Sequence, residues 1–398
     1  MWAMLLDAAF WTAASLAAVM SAAYWACLAE TVRLFRSPAP APRPLLPMTL
    51  IKPVKGLDEG LAGNFEAIAA ADPEGKVQVI IALESRDDEA YPVAAAFAAR
   101  HPERDILVLE TGSPRGRMGK AHNMIEALPR AAHPRVIFSD SDVQTTPRLL
   151  AETSRAFEDG CDAVYAVPQQ RRSRGLSGVL LEIALNHYFG LAAALGWRVI
   201  PFTFCAGAWM GYTAETLRRA GGLEPFSHAI ADDFALSHAV ARTGARGRLI
   251  GAPVLLREAG GTPAETLEHL LKWAIIIRWS VPWVYCAMPV FNAGLQAAFA
   301  LALAFALGRH RAAACALAAG VVGTRAAVAF LYDLLAGDGP LPLPWYALLG
   351  FMDVGSTGFW LNGFRRTIRW RGVTYRLSAG GRAEVLRRDG QPRAQVLS

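Results

Sequence analysis

The chain has 398 residues, of which 53% are apolar and only 19% charged, with a net charge of +6 and a mean hydropathy of +0.25. Such an apolar excess excludes a disordered chain and argues against a purely soluble one, while the length allows one large domain with accessories. The five cysteines (Cys27, Cys161, Cys205, Cys286, Cys315) show no paired spacing, so they read as small buried apolar residues rather than a zinc site or disulfide framework.

In chain order, residues 8–29 carry no charge over 22 positions, about the ~20 that cross a bilayer. Asp7 precedes this stretch and no basic leader does, which predicts a retained anchor over 1–36 rather than a cleaved signal peptide. Arg33, Arg36 and Arg43 follow it and place the next region in the cytoplasm by the positive-inside rule. A Pro-rich spacer, "SPAPAPRPLLP" over 37–47, is extended and stiff.

Strand-like runs then alternate with helical ones: "MTLIK" (48–52), "VQVIIAL" (77–83), "DILVL" (105–109), "RVIF" (135–138) and "DAVYAV" (162–167). Continuous apolar strands separated by helices predict an α/β domain over 48–280 with a mainly parallel sheet covered on both faces. Ligands of such sheets sit beyond the carboxyl ends of the strands. The segment 176–196 is apolar but holds Glu182, Asn186 and His187, and reads as an interfacial or groove helix.

Residues 279–308 are uncharged, and 312–335 and 339–364 are apolar stretches that contain Arg325 and Asp353. They predict a membrane region over 281–364 in which those two charges pair, because a lone intramembrane charge is expensive. The segment 365–398 reads as a basic cytosolic tail, partly disordered after Trp370; Arg365, Arg366, Arg369, Arg371 and Arg376 suit anionic lipid headgroups rather than nucleic acid. Two crossings plus a re-entrant or interfacial segment return this tail to the cytoplasm. Only five of the 40 basic residues are Lys, a bias that points to a GC-rich bacterial genome.

Three constellations carry chemistry. "FSDSDVQTTP" (138–147) ends a buried strand in Asp140 and Asp142; two carboxylates so placed can share a hard cation that keeps positions open for phosphate oxygens. A helix cap is the bland account, but Thr145 or Thr146 is available for that. "AIADDFALSHAV" (229–240) opens an amphipathic helix with Asp232 and Asp233, where the dipole favours carboxylates. "EHLLKWAIIIRWS" (268–280) sets His269, Lys272, Trp273 and Arg278 on neighbouring helical positions before an apolar span, a pattern a membrane-interface belt also gives.

Together with "IKPVKGLDEGL" (51–61), "GKAHNM" (119–124) and "AGGLEPFSHAIADDFALS" (220–237), these motifs resemble the ceramide glucosyltransferase group, membrane-bound GT-A enzymes of glycosyltransferase family 21, close to family 2. The resemblance implies a UDP-sugar donor, a divalent metal (Mn²⁺ or Mg²⁺) and inversion at the anomeric carbon. Asp140 and Asp142 match the acidic pair for metal and diphosphate, and Asp233 matches the general base, with Asp232 beside it. Lys120 and Asn123 match donor-side residues. "HLLKW" stands in place of the (Q/R)xxRW motif, giving His269, Lys272 and Trp273.

Three departures stand out. "ESRDDEA" (84–90) replaces a stretch with an Asp where this chain has Ser85, so the nucleoside-side carboxylate is Glu84 or is absent; Lys272 replaces an Arg, keeping charge but losing the bidentate fork; and His269 replaces Gln or Arg. The resulting expectation is a multi-pass protein of the bacterial inner membrane, its catalytic domain on the cytosolic face, moving a glucose-type hexose to a lipid hydroxyl, ceramide first. Alternatives are a hopanoid acceptor with UDP-N-acetylglucosamine, a processive polysaccharide synthase (which calls for more spans), and a non-catalytic binding module that keeps the fold.

Overall fold

The structure, a computed structural model, describes residues 2–388 apart from 40, 42, 172, 174, 257–260 and 371. Arg371 and residues 389–398 of the predicted tail therefore lie outside the described residues.

The centre of the molecule is an eight-stranded sheet: β1 (Met48–Pro53), β2 (Val77–Leu83), β3 (Ile106–Glu110), β4 (Arg135–Ser139), β5 (Val143–Gln144), β6 (Ala163–Gln170), β7 (Trp209–Thr213) and β8 (Gly247–Leu256). Their spatial order is β3-β2-β1-β4-β7-β6-β8-β5. Every residue of β1, β2 and β6 is buried, as expected of strands covered on both faces. The α/β expectation holds, with one refinement: β7 runs antiparallel to both β4 and β6, and β5 antiparallel to β8, so the sheet is mixed. β1, β2, β3 and β4 are parallel neighbours, as are β6 and β8. Their carboxyl ends share one edge, and Asp140, Glu84 and Gln170 sit on it.

The anchor is a single helix, Trp2–Phe35. It packs through Ala13 and Ala17 against Ala293, Ala297, Ala300 and Ala304 of the helix Ala293–Leu307, small side chains that let helices approach closely in lipid. Its C-terminal end is fastened to the α/β domain: Arg148 donates to Phe35 O at 3.1 Å and Ser37 O at 3.0 Å.

Among the described residues three helices are long and apolar enough to cross a membrane: Met4–Phe35, Gly175–Val199 and Arg311–Leu335. The pair Pro263–Ser280 and Pro282–Phe291 is bent by 119° between its halves, where Pro282 removes a backbone donor and interrupts the helix. Gly175–Val199 widens to a π-turn over Leu185–Gly190, and more than half of it is buried against the protein. Its polar residues are accounted for within the fold. Asn186 pairs with the backbone of Gln170 at 2.9 and 3.0 Å, and His187 meets Asp333 at 2.8 Å.

Arg325 and Asp353 pair as expected: Arg325 Nε donates to Asp353 Oδ2 at 3.1 Å, and both side chains are 2% exposed. The rings of Tyr24 and Tyr188 flank the guanidinium at 4.5 and 4.7 Å. Cys161 and Cys205 are buried as expected, but Cys286 and Cys315 are exposed on the apolar helical region.

The segment read as a basic tail, partly disordered after Trp370, forms strands over its described part as far as Arg388. β9 (Thr367–Trp370), β10 (Val373–Ser378) and β11 (Arg382–Arg388) form an antiparallel sheet. Its inward residues Ile368, Val373, Tyr375, Leu377 and Ala383 are buried, while Thr367, Arg369, Arg376 and Glu384 face out. That is a period-two strand pattern, masked by the arginines on its outer face.

Candidate active site

The acidic loop after β4 is held from below by a lysine. Lys52, fully buried near the end of β1, donates to Asp140 O at 2.8 Å and to Ser139 Oγ and Val143 O at 3.2 Å each. Burial pushes its pKa down to about 8, against the pull of Asp142, Asp140 and Asp58. Ser141, between the two acids, donates its hydroxyl to Asp58, and its carbonyl accepts from Asn64 Nδ2 at 3.1 Å. Thr146 caps the helix Pro147–Glu158 by accepting from Leu149 N at 3.1 Å. The capping duty therefore falls on the threonine, and Asp140 and Asp142 are left for other chemistry.

Lys120 joins the acidic loop to the second constellation. Its Nζ lies 2.7 Å from Asp140 Oδ1 and 3.8 Å from Asp232 Oδ2. Burial alone would lower its pKa, but Asp140, Asp232 and Asp233 together raise it above the ordinary lysine value. Asp232 and Asp233 start the helix Asp232–Arg242. Asp233 Oδ2 accepts from Gly207 N at 2.9 Å and Oδ1 from Phe234 N at 2.8 Å. Burial pushes Asp232 up to about 6 and raises Asp233 as well, with Lys120 opposing in both cases. A Cβ on Gly207 would stand 2.7 Å from Lys120 Nζ, so a side chain there would push the ammonium out of its present place.

The structure thus brings Asp140, Lys120, Asp232 and Asp233 into one cluster at the carboxyl edge of the sheet. Asn123 lies underneath: its Nδ2 donates to Ala82 O at 3.1 Å and Val54 O at 3.3 Å, and its Oδ1 accepts from Thr111 at 2.7 Å. It ties the ends of β1 and β2 together. Glu84, at the end of β2, has Lys55 Nζ at 3.6 Å on one oxygen and Arg388 Nη1 at 3.6 Å on the other. Ser85 turns the chain by accepting from Asp87 N at 2.9 Å, and Asp88 accepts from Gly56 N at 2.9 Å.

The third constellation lies on the helix Pro263–Ser280, which starts with a Thr262–Glu265 capping box. His269 and Trp273 are in edge-to-face contact at 4.7 Å. Lys272 Nζ sits 4.8 Å over the ring of Trp370 in β9. At the helix's far end Arg278 lies over Trp279 and Phe364 at 5.4 and 4.8 Å.

Among the described residues no group of three or more His, Cys, Asp or Glu is arranged as a protein-only metal cage. Mg²⁺ and Mn²⁺ sites built for phosphate substrates need only one or two carboxylates, and Asp140 and Asp142 supply two. Asp232 Oδ2 is buried and accepts no hydrogen bond, a further sign that the cluster is built around positive charge. The residue types fit such a cation.

Sequence reasoning passed over Lys52, Gly207, Trp370 and Arg388. Lys52 carried a signal, a lysine inside an otherwise apolar strand ("MTLIKP"). The other three acquire their roles only from long-range contacts.

The profile of glycosyl transferase family 21 matches residues 12–383. Ceramide glucosyltransferase 1 of Caenorhabditis elegans is 24% identical over 269 residues, covering 65% of this chain and 57% of that protein. Ceramide glucosyltransferase 3 of the same organism is 23% identical over 262 residues, covering 64% and 56%. The matched region thus spans just over half the length of these relatives. Among solved structures, a mannosyltransferase from Pyrobaculum calidifontis in complex with GDP-Man and Mn²⁺ is 19% identical with a TM-score of 0.47, covering 88% of this chain and 97% of that one.

Proposed function

The chain belongs to glycosyl transferase family 21, and we propose that it is a membrane-bound inverting glycosyltransferase that moves a glucose-type hexose from a UDP-sugar to a lipid hydroxyl, with ceramide as the first acceptor. The observation that carries this reading is the placement of Asp233 beside the Asp140–Lys120 pair, its carboxylate held by Gly207 N and by the first turn of its own helix.

In this reading Asp233 takes the proton from the attacking hydroxyl. Its raised pKa makes it a better acceptor than a solvent-exposed aspartate. A divalent cation held by Asp140 and Asp142 would supply charge neutralisation for the departing diphosphate. Lys120 bridges Asp140 and Asp232 at 2.7 and 3.8 Å and offsets part of the cluster's negative charge. Lys52 keeps the acidic loop in place, and Glu84 faces the nucleoside end with Lys55. Lys272 and His269, from the helix that meets the membrane region, stand on the diphosphate and acceptor side, with Trp273 offering an apolar face. One base and no enzymic nucleophile match single displacement with inversion.

The protein is a multi-pass membrane protein of the bacterial inner membrane in this reading, with its α/β domain cytosolic. β10 and β11 pack on that domain, as the bond from Ile230 N to Gly381 O at 2.8 Å attests. The chain between Ser280 and Thr367 must then cross the membrane an even number of times.

The test is UDP release by detergent-purified protein with Mn²⁺, using UDP-glucose or UDP-N-acetylglucosamine against ceramide, diacylglycerol and a hopanoid polyol. Release that depends on ceramide and vanishes in Asp233→Asn is expected. Release with the hopanoid polyol alone would move the acceptor. Metal-dependent UDP binding without release from any pair would sink the catalytic reading in favour of a binding module.

A further inference from the structure

We propose that the C-terminal sheet is a wall of the donor site, in which Trp370 positions Lys272 and Arg388 positions Glu84. This rests on the glycosyltransferase reading and extends it to a part of the chain the motifs do not reach.

Three observations converge. The first is backbone pairing: Ile230 N donates to Gly381 O at 2.8 Å and Ala383 N to His228 O at 2.7 Å, so β11 clamps the loop that leads two residues later into Asp232 and Asp233. Gly381 has φ +71°, a left-handed conformation that favours glycine and aims its carbonyl at that loop. The second is a shared apolar cluster. Met118 and Ala121 flank Lys120, Ile230 precedes Asp232, and Ile275 follows Lys272 and Trp273; all four are buried in one cluster with the inward face of the C-terminal sheet. One small sheet therefore packs at once on the three elements that carry Lys120, Asp232 and Lys272.

The third observation is the pair of side chains it extends to the site. Trp370 lies under Lys272 Nζ at 4.8 Å and Arg388 reaches Glu84 at 3.6 Å. Lys272 is one position at which the chain departs from its family's motifs, and Glu84 adjoins another, Ser85. A lysine has a flexible stem and a single ammonium where arginine has a rigid fork. An indole face gives that ammonium a fixed resting place through cation–π attraction. Glu84, the carboxylate next to Ser85, is steadied by cations on both of its oxygens, Lys55 on one and Arg388 on the other.

The experiment compares full-length Trp370→Leu, Trp370→Phe, Arg388→Ala and Arg388→Lys with wild type, reading donor KM, kcat and metal-dependent UDP affinity. Glu384→Gln, exposed on the outer face of the sheet, is the control and keeps wild-type values. Trp370→Leu is expected to lower kcat/KM roughly 3- to 30-fold, the range of a cation–π contact, with Trp370→Phe recovering most of it. In the Trp370→Leu background, Lys272→Arg restores activity because the fork needs no such support. Arg388→Ala raises donor KM with little change in kcat, and Arg388→Lys recovers it. Should Trp370→Leu fail to fold, the Arg388 pair still decides. Wild-type kinetics in both Trp370→Leu and Arg388→Ala would overturn the proposal, as would losses that the conservative variants do not recover. A wild type that neither binds UDP nor turns over would instead overturn the glycosyltransferase reading itself.

Discussion

Lys52→Met isolates the contribution of the buried lysine under the acidic loop. Methionine fills nearly the same volume, so the change removes charge and donors rather than packing. Three donated hydrogen bonds disappear, two of them to the carbonyls of Asp140 and Val143. A buried carbonyl left without its donor costs about 1–3 kcal/mol. Asp140, Asp142 and Asp58 lose a nearby cation at the same time. Release of the ammonium from its buried site offsets part of this, leaving a net loss of about 3 kcal/mol, at the low end of the ~3–5 kcal/mol seen when one partner of a buried ion pair is removed. The loss falls on the loop that carries both acids. At about 1.4 kcal/mol per factor of ten, metal-dependent UDP binding should weaken by up to ~100-fold. Titration of UDP into detergent-purified protein with Mn²⁺, together with a thermal melt, measures both effects. Wild-type UDP affinity and an unchanged melt in Lys52→Met would refute the reasoning, because the loop would then hold its shape without the lysine.

Asp233→Asn should abolish turnover while leaving metal-dependent UDP binding within a few-fold of wild type, since the amide cannot take the proton; equal loss of both in turnover and binding assays would make Asp233 a structural residue. Burial raises Asp233 above the ordinary aspartate value, so the acid limb of a pH–rate profile should lie at higher pH than a solvent-exposed aspartate would give. Stability moves the other way there: carboxylates with raised folded pKa values destabilise the fold above those values, and this is relieved on protonation. The melting temperature should therefore hold while the rate is lost, and Lys120→Met should shift the acid limb upward by about 1–3 pH units. Arg325→Leu or Asp353→Leu alone leaves a buried charge, at about 3–5 kcal/mol; the swap Arg325→Asp/Asp353→Arg should recover part of the loss in expression and melting temperature, and a swap worse than either single change would count against the pair.

The charged parts of this protein that read directly from the sequence share one physical property, in that they break a local pattern. Asp140 and Asp142 interrupt a buried strand, and Asp232 and Asp233 put two carboxylates together before an apolar helix face. Arg325 and Asp353 are charges set in apolar runs. Five strands of the sheet were visible for a different reason, as short, mostly apolar runs. β7 and β8 were not: Gly211 divides the first, and Gly251 and Pro253 interrupt the second, so neither shows the continuous apolar signature of a central strand. The π-turn over Leu185–Gly190 is set by where Asn186 and His187 find partners in β6 and the helix Arg311–Leu335, which a linear pattern does not contain.

The C-terminal sheet shows why a supporting shell is harder to read than the residues it supports. Its inward positions alternate as a strand should, but they are few and short, and arginines dominate between them, so composition outweighs period. Its importance lies in contacts between residues far apart in sequence: Ala383 with His228, Lys272 with Trp370, and Glu84 with Arg388. Chemistry constrains residue type at a few positions and leaves a motif. Positioning constrains only where a side chain ends up, which many sequences can satisfy. A lysine where the family motif has arginine therefore need not weaken the site, provided another part of the chain supplies the rigidity that the guanidinium fork would have carried. Trp370 is placed to do so.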